Sequence, residues 1–219
     1  MRLNTVIFDM DGLLIDSEPL WYEAAYEVFV SYGIRLTPVQ YATTTGLRTK
    51  EFIQWWFREF NILDADHAAV DRAITKAVIE KIETKGKTLP GVGHVLNYFI
   101  EKKYKIGLAS SSDLSIIDVV VEKLGIRNHL SVIESAEQLQ YGKPHPQVYL
   151  NCAAALNSDP TECICFEDSF NGMIAAKAAR MKCIVVPAAS ERQHPKFGAA
   201  DLRLSSLNNF NGLLLEALQ

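Results

Sequence analysis

Polar residues that could do chemistry follow four predicted strands, directly at the strand end in three cases and across a loop in the case of Lys143. They are four carboxylates, one hydroxyl and one lysine: Asp9, Asp11, Ser110, Lys143, Glu167 and Asp168. Because the carboxyl ends of parallel strands meet at one edge of a sheet, these groups should converge there. Helix capping would explain one acidic pair by itself, but it does not explain the convergence of all six groups.

Four carboxylates at one site repel each other, and a divalent cation would remove that repulsion. A ligand set made only of oxygens is typical of Mg²⁺. With Lys143 and Ser110 facing the metal, the site would form a cradle for a phosphoryl group. Asp9 could then attack phosphorus to form an aspartyl phosphate, while Asp11 protonates the leaving oxygen and later takes a proton from water. The pattern therefore predicts phosphoryl transfer.

Strands and helices alternate along most of the chain. The predicted strands span residues 5–8, 105–109, 131–135, 163–166 and 183–187, with a weaker sixth at 202–204. Several of them are almost continuous apolar runs, as expected for strands that are covered on both faces. The stretches between them, such as GVGHVLNYFIEKK and LSIIDVVVEKLG, place apolar residues on one face of a helix. The predicted fold is α/β, with a Rossmann-like doubly wound parallel sheet.

One segment breaks this alternation directly after the first strand. Between about residues 17 and 88 the sequence shows three apolar helical stripes and no strand pattern. Pro90 and Gly91 in TLPGVG mark the return to the sheet. We therefore predict a core domain of residues 1–16 and 88–219 and an inserted all-helical cap domain of residues 17–87. A helical insert beside the carboxyl end of a strand is well placed to act as a lid.

Composition and charge argue against several other classes of protein. The formal net charge is −4, and lysine and arginine form no basic cluster, so we expect no nucleic-acid partner. We expect no signal peptide and no membrane span, because the first apolar run breaks at Asp9 and no run approaches the ~20 residues that a span needs. The four cysteines lack zinc-binding spacing and are expected to be buried free thiols of a cytoplasmic protein.

The stretches DMDGLLID and EDSFNG, with the serine after the second strand and the lysine of GKPHP, resemble the four motifs of the haloacid dehalogenase-like phosphohydrolase superfamily. The resemblance covers the whole chain and puts the helical insert where that family has its C1 cap. It implies Asp9 as nucleophile and Asp11 as general acid and base. It also implies Mg²⁺ on Asp9, the Asp11 backbone carbonyl and Asp168, with Glu167 direct or through water. Three groups would bind the transferring phosphoryl group, namely Ser110, Ser111 and Lys143.

Longer stretches, LLIDSEPLW, GKPHPQVYL and EDSFNGMIAAKAARM, resemble the bacterial branch of 2-deoxyglucose-6-phosphatases and hexitol phosphatases. The β-phosphoglucomutases are a nearby alternative, but two of their cap features are changed. Trp21 stands at the position of their cap-side histidine. TGLRTK carries Arg48 one place early, without the serine of their Gly-x-Ser-Arg signature. The resemblance therefore favours a phosphatase over a mutase.

Four further candidates for substrate contact follow from their places in the sequence. Glu18 and Trp21 open the first cap helix and are expected to face the cleft and set specificity. Arg48 either reaches a substrate anion or forms a salt bridge on the cap surface. Asn171 either hydrogen-bonds the site or caps the helix that begins there, and we favour the cap.

The leading hypothesis is a Mg²⁺-dependent phosphatase that acts on a small phosphorylated sugar, sugar alcohol or similar metabolite. The alternative is a hexose-phosphate mutase of the β-phosphoglucomutase type, which would use the same aspartyl phosphate. A more remote alternative is a non-catalytic phospholigand-binding protein on the same scaffold. We expect a monomer whose partner is a small molecule. Cap side chains choose the physiological substrate, and the sequence does not show their geometry.

Overall fold

The computed structural model describes residues 3–219, and within them it forms one six-stranded parallel sheet. The strands are β1 (Thr5–Phe8), β2 (Lys105–Ser110), β3 (Val132–Ser135), β4 (Cys163–Glu167), β5 (Lys182–Val185) and β6 (Leu202–Arg203). Their order across the sheet is β3-β2-β1-β4-β5-β6. All six predicted strands are present, and their ends differ from the predicted ends by at most two residues.

Helices cover both faces of this sheet. They are α1 (Glu18–Val30), α2 (Pro38–Ala42), α3 (Thr49–Glu59), α4 (His67–Lys85), α5 (Val92–Glu101), α6 (Leu114–Leu124), α7 (Gln147–Ala155), α8 (Phe170–Ala178) and α9 (Gly212–Leu218). Successive residues of a strand point to opposite faces. Phe8 of β1 accordingly packs against Phe99 of α5, whereas Ile7 packs in a second core with Tyr149 of α7 and Met173 of α8. The sheet is therefore doubly wound, as predicted.

The end of β1 lies at the point where the strand order reverses. Phe8 pairs with Leu108 of β2 on one side and with Phe166 of β4 on the other. Both registers are parallel, so the residues that follow these strands emerge at the same edge. A crevice at the carboxyl ends of strands on either side of such a reversal is the usual ligand site of an open α/β sheet.

Along the chain, the helices α1 to α4 come between β1 and α5, before the chain returns to the sheet at β2. We call residues 18–85 the helical segment. The chain leaves and re-enters the sheet domain at adjacent points, because Ile15 and Thr88 form an antiparallel bridge. Inside the segment, the ring of Phe29 lies 5.2 Å from that of Phe52 and 5.1 Å from that of Phe57. The segment therefore has an aromatic core of its own.

The four cysteines are free and buried, as predicted from their spacing. In the part of the chain that the structure describes, no helix has both the length and the apolar character needed to cross a membrane.

Candidate active site

A buried lysine joins the carboxyl ends of β1 and β4. Lys143 Nζ donates to Asp9 Oδ1 at 2.5 Å, to Glu167 Oε1 at 2.7 Å and to the carbonyl oxygen of Ala109 at 3.2 Å. Lys143 is 2% exposed, and Asp9 is 6% exposed. A buried charge is costly unless it is paired and hydrogen-bonded, and this lysine satisfies both conditions. The structure thus brings together three residues that the sequence places far apart.

Burial and neighbouring charges together shift the pKa values of Lys143 and Asp9. Burial alone would lower the pKa of Lys143, but the carboxylates of Asp9 and Glu167 outweigh burial and hold that pKa above its ordinary value. Burial raises the pKa of Asp9 well above its usual range, and Lys143 opposes this shift while Glu167 and Asp11 add to it. The single ammonium group therefore stays charged without neutralising its surroundings.

A cluster of three carboxylates could hold a metal ion here. One oxygen from each of Asp9, Glu167 and Asp168 lies within 4.8 Å of the others. Burial raises the pKa of Asp168 well above its ordinary value, and Glu167 and Asp9 raise it further. Gly12 lets the chain pass close to this cluster, since its φ is +70° and a Cβ there would lie 2.2 Å from Asp168 Oδ2. These crowded hard oxygens fit a divalent cation, as the sequence predicted.

Both carboxylate oxygens of Glu167 are already engaged by the protein. Oε1 accepts from Lys143 and, at 2.6 Å, from the hydroxyl of Tyr149. Oε2 accepts from the backbone N–H groups of Asp168 and Ser169, both at 3.1 Å, and from the Ser169 hydroxyl at 3.0 Å. Glu167 therefore anchors Lys143 and the turn after β4. Of the two predicted modes of metal contact, these bonds favour the one through water.

Three donors orient the carboxylate of Asp11. Its Oδ1 accepts from Ser17 Oγ at 2.6 Å and from Trp21 Nε1 at 2.9 Å, and its Oδ2 accepts from Ser112 Oγ at 2.6 Å. Ser17 occupies the N-cap position of α1, but its side chain makes no capping bond to that helix. Asp11 is therefore held from both sides, by the start of the helical segment and by the loop after β2.

A cavity separates the strand ends from the helical segment, with a volume of about 630 Å³ that includes the part open to solvent. Its polar floor consists of Asp9, Asp11, Ser110, Ser111, Ser112, Lys143 and Asp168. Its walls include Glu18, Trp21, Tyr41, Thr44, Thr45, Thr49 and Phe52 of the helical segment. Burial raises the pKa of Glu18 to about 8, and Asp11 adds to this shift while a hydrogen bond with Tyr41 opposes it. Glu18 and Trp21 thus face the cleft, as predicted.

The two serines predicted to bind phosphate differ in their contacts. Ser110 Oγ is buried at the end of β2 and accepts from the backbone N–H of Ser112 at 3.0 Å. Ser111 Oγ donates to the carbonyl oxygen of Gly46 at 2.8 Å. Ser111 therefore lies at the boundary between the sheet and the helical segment, among the residues that line the cavity.

Arg48 lies outside the cavity, and its contacts correct the prediction. The side chain is buried, and its guanidinium donates to the carbonyl oxygens of Ala136 and Leu139 and pairs with Glu51. It faces the protein and not a substrate anion. The salt bridge that was the other alternative is present, with the Arg48 side chain 5% exposed and the Glu51 side chain 29% exposed.

Asn171 also lies outside the cavity lining, and the capping role that we favoured for it is wrong. Ser169 is the N-cap residue of α8, and its hydroxyl accepts from the backbone N–H of Gly172 at 3.0 Å. The Asn171 side chain donates instead to the carbonyl oxygen of Thr45 at 2.9 Å. It thus links α8 to the helical segment beside the cavity.

Sequence reasoning missed three residues that contact the site. Ser17 and Ser112 orient Asp11, and Tyr149 holds Glu167. The run ASSS after β2 was a usable signal for Ser112, because it offers a further hydroxyl beside the two that were assigned. For Tyr149 on α7 the sequence gives no signal, since an aromatic residue on an apolar helix face predicts only core packing.

The class of protein follows from this combination of fold and site. A doubly wound parallel sheet carries an aspartate pair after β1, serines at the end of β2, a lysine before α7 and acidic residues at the end of β4. The family model described as haloacid dehalogenase-like hydrolase matches residues 6–186, and the chain belongs to this family.

Two of the relatives that match most of the chain are named as phosphatases. Over 208 residues the chain is 44% identical to hexitol phosphatase B of Escherichia coli (strain K12). The alignment covers 94% of this chain and 93% of that protein. Over 185 residues it is 32% identical to fructose-1-phosphate phosphatase YqaB of the same strain. That alignment covers 84% of this chain and 97% of that protein. Among solved structures, CbbY from Rhodobacter sphaeroides in complex with phosphate matches with a TM-score of 0.86 and 25% identity, covering 98% of this chain and 99% of that one.

Proposed function

We propose that this protein is a Mg²⁺-dependent phosphatase that hydrolyses the phosphate monoester of a small sugar or sugar alcohol through an aspartyl phosphate. Its family and its phosphatase relatives identify it as a phosphoric monoester hydrolase. The finer proposal rests above all on the contact between Asp9 and Lys143 at the floor of the cavity. A nucleophile and a cation that lie side by side are what transfer of a phosphoryl group to Asp9 needs.

Each group at the floor has a proposed role. Asp9 attacks phosphorus, and the bond from phosphorus to the sugar oxygen breaks as Asp11 protonates that oxygen. Asp11 then takes a proton from the water that attacks the aspartyl phosphate, which releases phosphate and restores Asp9. Lys143 and the hydroxyls of Ser110 and Ser111 bind the phosphoryl oxygens.

The proposed metal ligands are Asp9, the Asp11 backbone carbonyl and Asp168, with Glu167 acting through water. Bound there, Mg²⁺ would supply positive charge to the phosphoryl oxygens and offset the repulsion among the carboxylates.

We also propose that residues 17–87 form a cap domain that encloses the leaving group, with residues 1–16 and 88–219 as the core. The cavity walls support this, because threonines and Tyr41 of the helical segment line the cavity beside apolar rings such as Phe52. Such a lining suits a neutral, hydroxyl-rich molecule. A monomeric state and a cytoplasmic location stay predictions.

The charge of the cavity argues against the mutase alternative. A mutase that works through a sugar bisphosphate needs a partner for the second phosphate. Among the described residues that line the cavity, Lys143 is the only cation, and the guanidinium of Arg48 is bound elsewhere. A second phosphate would therefore lie near Glu18 without a cation to pair with, which is unfavourable in a desolvated site. Conversion of β-glucose 1-phosphate to glucose 6-phosphate, with little free phosphate, would reverse this preference.

Phosphate release from a panel of phosphate esters tests the proposal. We expect hexitol and hexose monophosphates to be hydrolysed with added Mg²⁺ and not with EDTA. A measurement without substrate separates metal binding from turnover: Mg²⁺ at 100 times its Kd should raise the free energy of unfolding by about 2.7 kcal/mol. Asp168→Asn is expected to remove most of this increase. Turnover that survives chelation would contradict the proposed dependence on Mg²⁺. Tight binding of phosphate esters without any turnover would favour the phospholigand-binding alternative.

Replacing Asp11 with asparagine should separate proton transfer from phosphoryl transfer. The amide keeps the shape of Asp11 but cannot donate or take the proton, so kcat for a hexitol phosphate should fall by about 10²–10⁴-fold. With p-nitrophenyl phosphate the formation of the aspartyl phosphate should slow much less, because nitrophenolate leaves without a proton. Stopped-flow release of nitrophenolate measures this step. Equal losses of that step for both leaving groups would contradict the role of Asp11 as the acid.

A further inference from the structure

The loop that precedes Lys143 is held by an arginine from the helical segment. Arg48 donates to the carbonyl oxygens of Ala136 at 3.1 Å, Leu139 at 2.5 Å and Gln140 at 3.4 Å. We call residues 136–142 the lysine loop, because they lead from β3 to Lys143. Arg48 is only 4% exposed; its bond to Ala136 is buried, and its bonds to Leu139 and Gln140 are partly buried, so loss of the buried bond in particular would be costly.

Glu51, in the first turn of the helix that Arg48 precedes, completes the contact. Glu51 Oε1 pairs with the Arg48 guanidinium at 2.5 Å and accepts from the backbone N–H of Gly142 at 3.4 Å. Glu51 Oε2 accepts from the Arg48 backbone N–H at 3.3 Å, which fixes the pair at the start of α3. The lysine loop is therefore bonded through its carbonyls to Arg48 and through its last N–H to Glu51.

Gly142 leaves the space that this pair occupies. A Cβ at position 142 would lie 2.5 Å from Arg48 Nε and 2.6 Å from Glu51 Oε2, closer than side chains pack. The next residue is Lys143, whose ammonium group is fixed at its other end by Asp9 and Glu167. The residue before Lys143 is thus bonded to the helical segment, while the ammonium group of Lys143 is bonded to Asp9 and Glu167.

We propose that Arg48 and Glu51 are positioning residues for Lys143, and that they use the helical segment to set where its ammonium group lies against Asp9. This inference rests on the proposed role of Lys143 in binding the phosphoryl group. Without the pair, the three carbonyls of the lysine loop would turn to solvent and the loop would sample other conformations. Because a displacement of about 1 Å at a reacting centre can cost on the order of 10²-fold in rate, the pair should affect catalysis without touching substrate.

The experiment compares two substitutions that disrupt the same contact from opposite sides. Arg48→Met removes the guanidinium, and Gly142→Ala fills its space while leaving Arg48 in the chain. For both variants we expect kcat to fall by roughly 10–10²-fold on p-nitrophenyl phosphate and on a hexitol phosphate alike, because Lys143 acts on the group that the two substrates share. Binding of inorganic phosphate in the presence of Mg²⁺, measured by calorimetry, should weaken in both. In a Lys143→Met background, Arg48→Met should cause no further weakening.

Lys50→Ala serves as the matched control, since Lys50 donates to the Glu137 carbonyl at 3.0 Å from the same helix but is exposed. It should leave kcat and phosphate binding unchanged. If Arg48→Met lowers only the melting temperature, the pair is structural and the inference fails. It also fails if the loss appears with the hexitol phosphate alone, because Arg48 would then act on the leaving group. Phosphate binding needs no turnover, so this arm tests the inference even if the proposed hydrolysis is absent.

Discussion

Asp9→Asn is expected to reduce phosphate release by at least about 10⁴-fold, while the protein remains folded. An amide nitrogen or oxygen does not attack phosphorus as a carboxylate does, and loss of a covalent nucleophile typically removes nearly all of the chemical acceleration. In the unchanged protein Lys143 Nζ donates to Asp9 Oδ1 at 2.5 Å. The fold should tolerate the substitution because the amide oxygen of asparagine can still accept this hydrogen bond. Initial rates with a hexitol phosphate and thermal unfolding of the same preparation check both expectations.

Asp16→Asn provides the control for this result. Asp16 belongs to the same acidic stretch, but it is exposed, and its backbone N–H bonds the carbonyl of Lys87 where the helical segment begins. Its amide variant should keep full activity. Acid quenching of the wild-type reaction followed by mass spectrometry should find phosphate on the peptide that contains Asp9. A nucleophile elsewhere would be indicated if Asp9→Asn still formed a phosphorylated protein.

The positions of Asp9 and Asp168 could be predicted because they depend on backbone topology, whereas Lys143, which follows β3 across a loop, was placed by its GKPHP motif. Apolar runs define the strands, parallel pairing aligns the strand ends, and residues just beyond those ends must converge. The structure places all three at the floor of the cavity. The helical segment was equally readable, since a long stretch of helical periodicity without a strand pattern has few other interpretations.

Arg48 and Asn171 could not be placed in the same way, because their roles depend on partners that have no sequence signature. Both side chains donate to backbone carbonyls, which every residue carries, so nothing in the residue types marks the acceptors Ala136 and Thr45. A long, flexible side chain can also point in several directions from one backbone position. Tertiary packing determines which of these directions the side chain takes, and the sequence alone does not show that packing.

Lys143→Met is expected to destabilise the protein by about 3–5 kcal/mol when no metal is present, the usual cost of removing one partner from a buried ion pair. Methionine has a similar shape, but it leaves Asp9 and Glu167 in a buried site without the cation that both contact. Catalysis should fall by about 10²–10³-fold as well, because the phosphoryl oxygens lose a charged donor. Urea unfolding without Mg²⁺ and initial rates with Mg²⁺ measure the two effects separately.

The same substitution at Lys177 shows whether burial is the cause of that loss. Lys177 Nζ lies 2.5 Å from Asp201 Oδ2, as close as Lys143 lies to Asp9, but its side chain is 31% exposed. Water can solvate Asp201 when this lysine is removed, so Lys177→Met should cost about 1 kcal/mol or less and leave turnover intact. Mg²⁺ should restore part of the stability of Lys143→Met, since a divalent cation would again offset the carboxylates, and should do nothing for Lys177→Met. Equal losses of stability at the two positions would show that the ammonium of Lys143 is not what compensates the buried charge of Asp9 and Glu167.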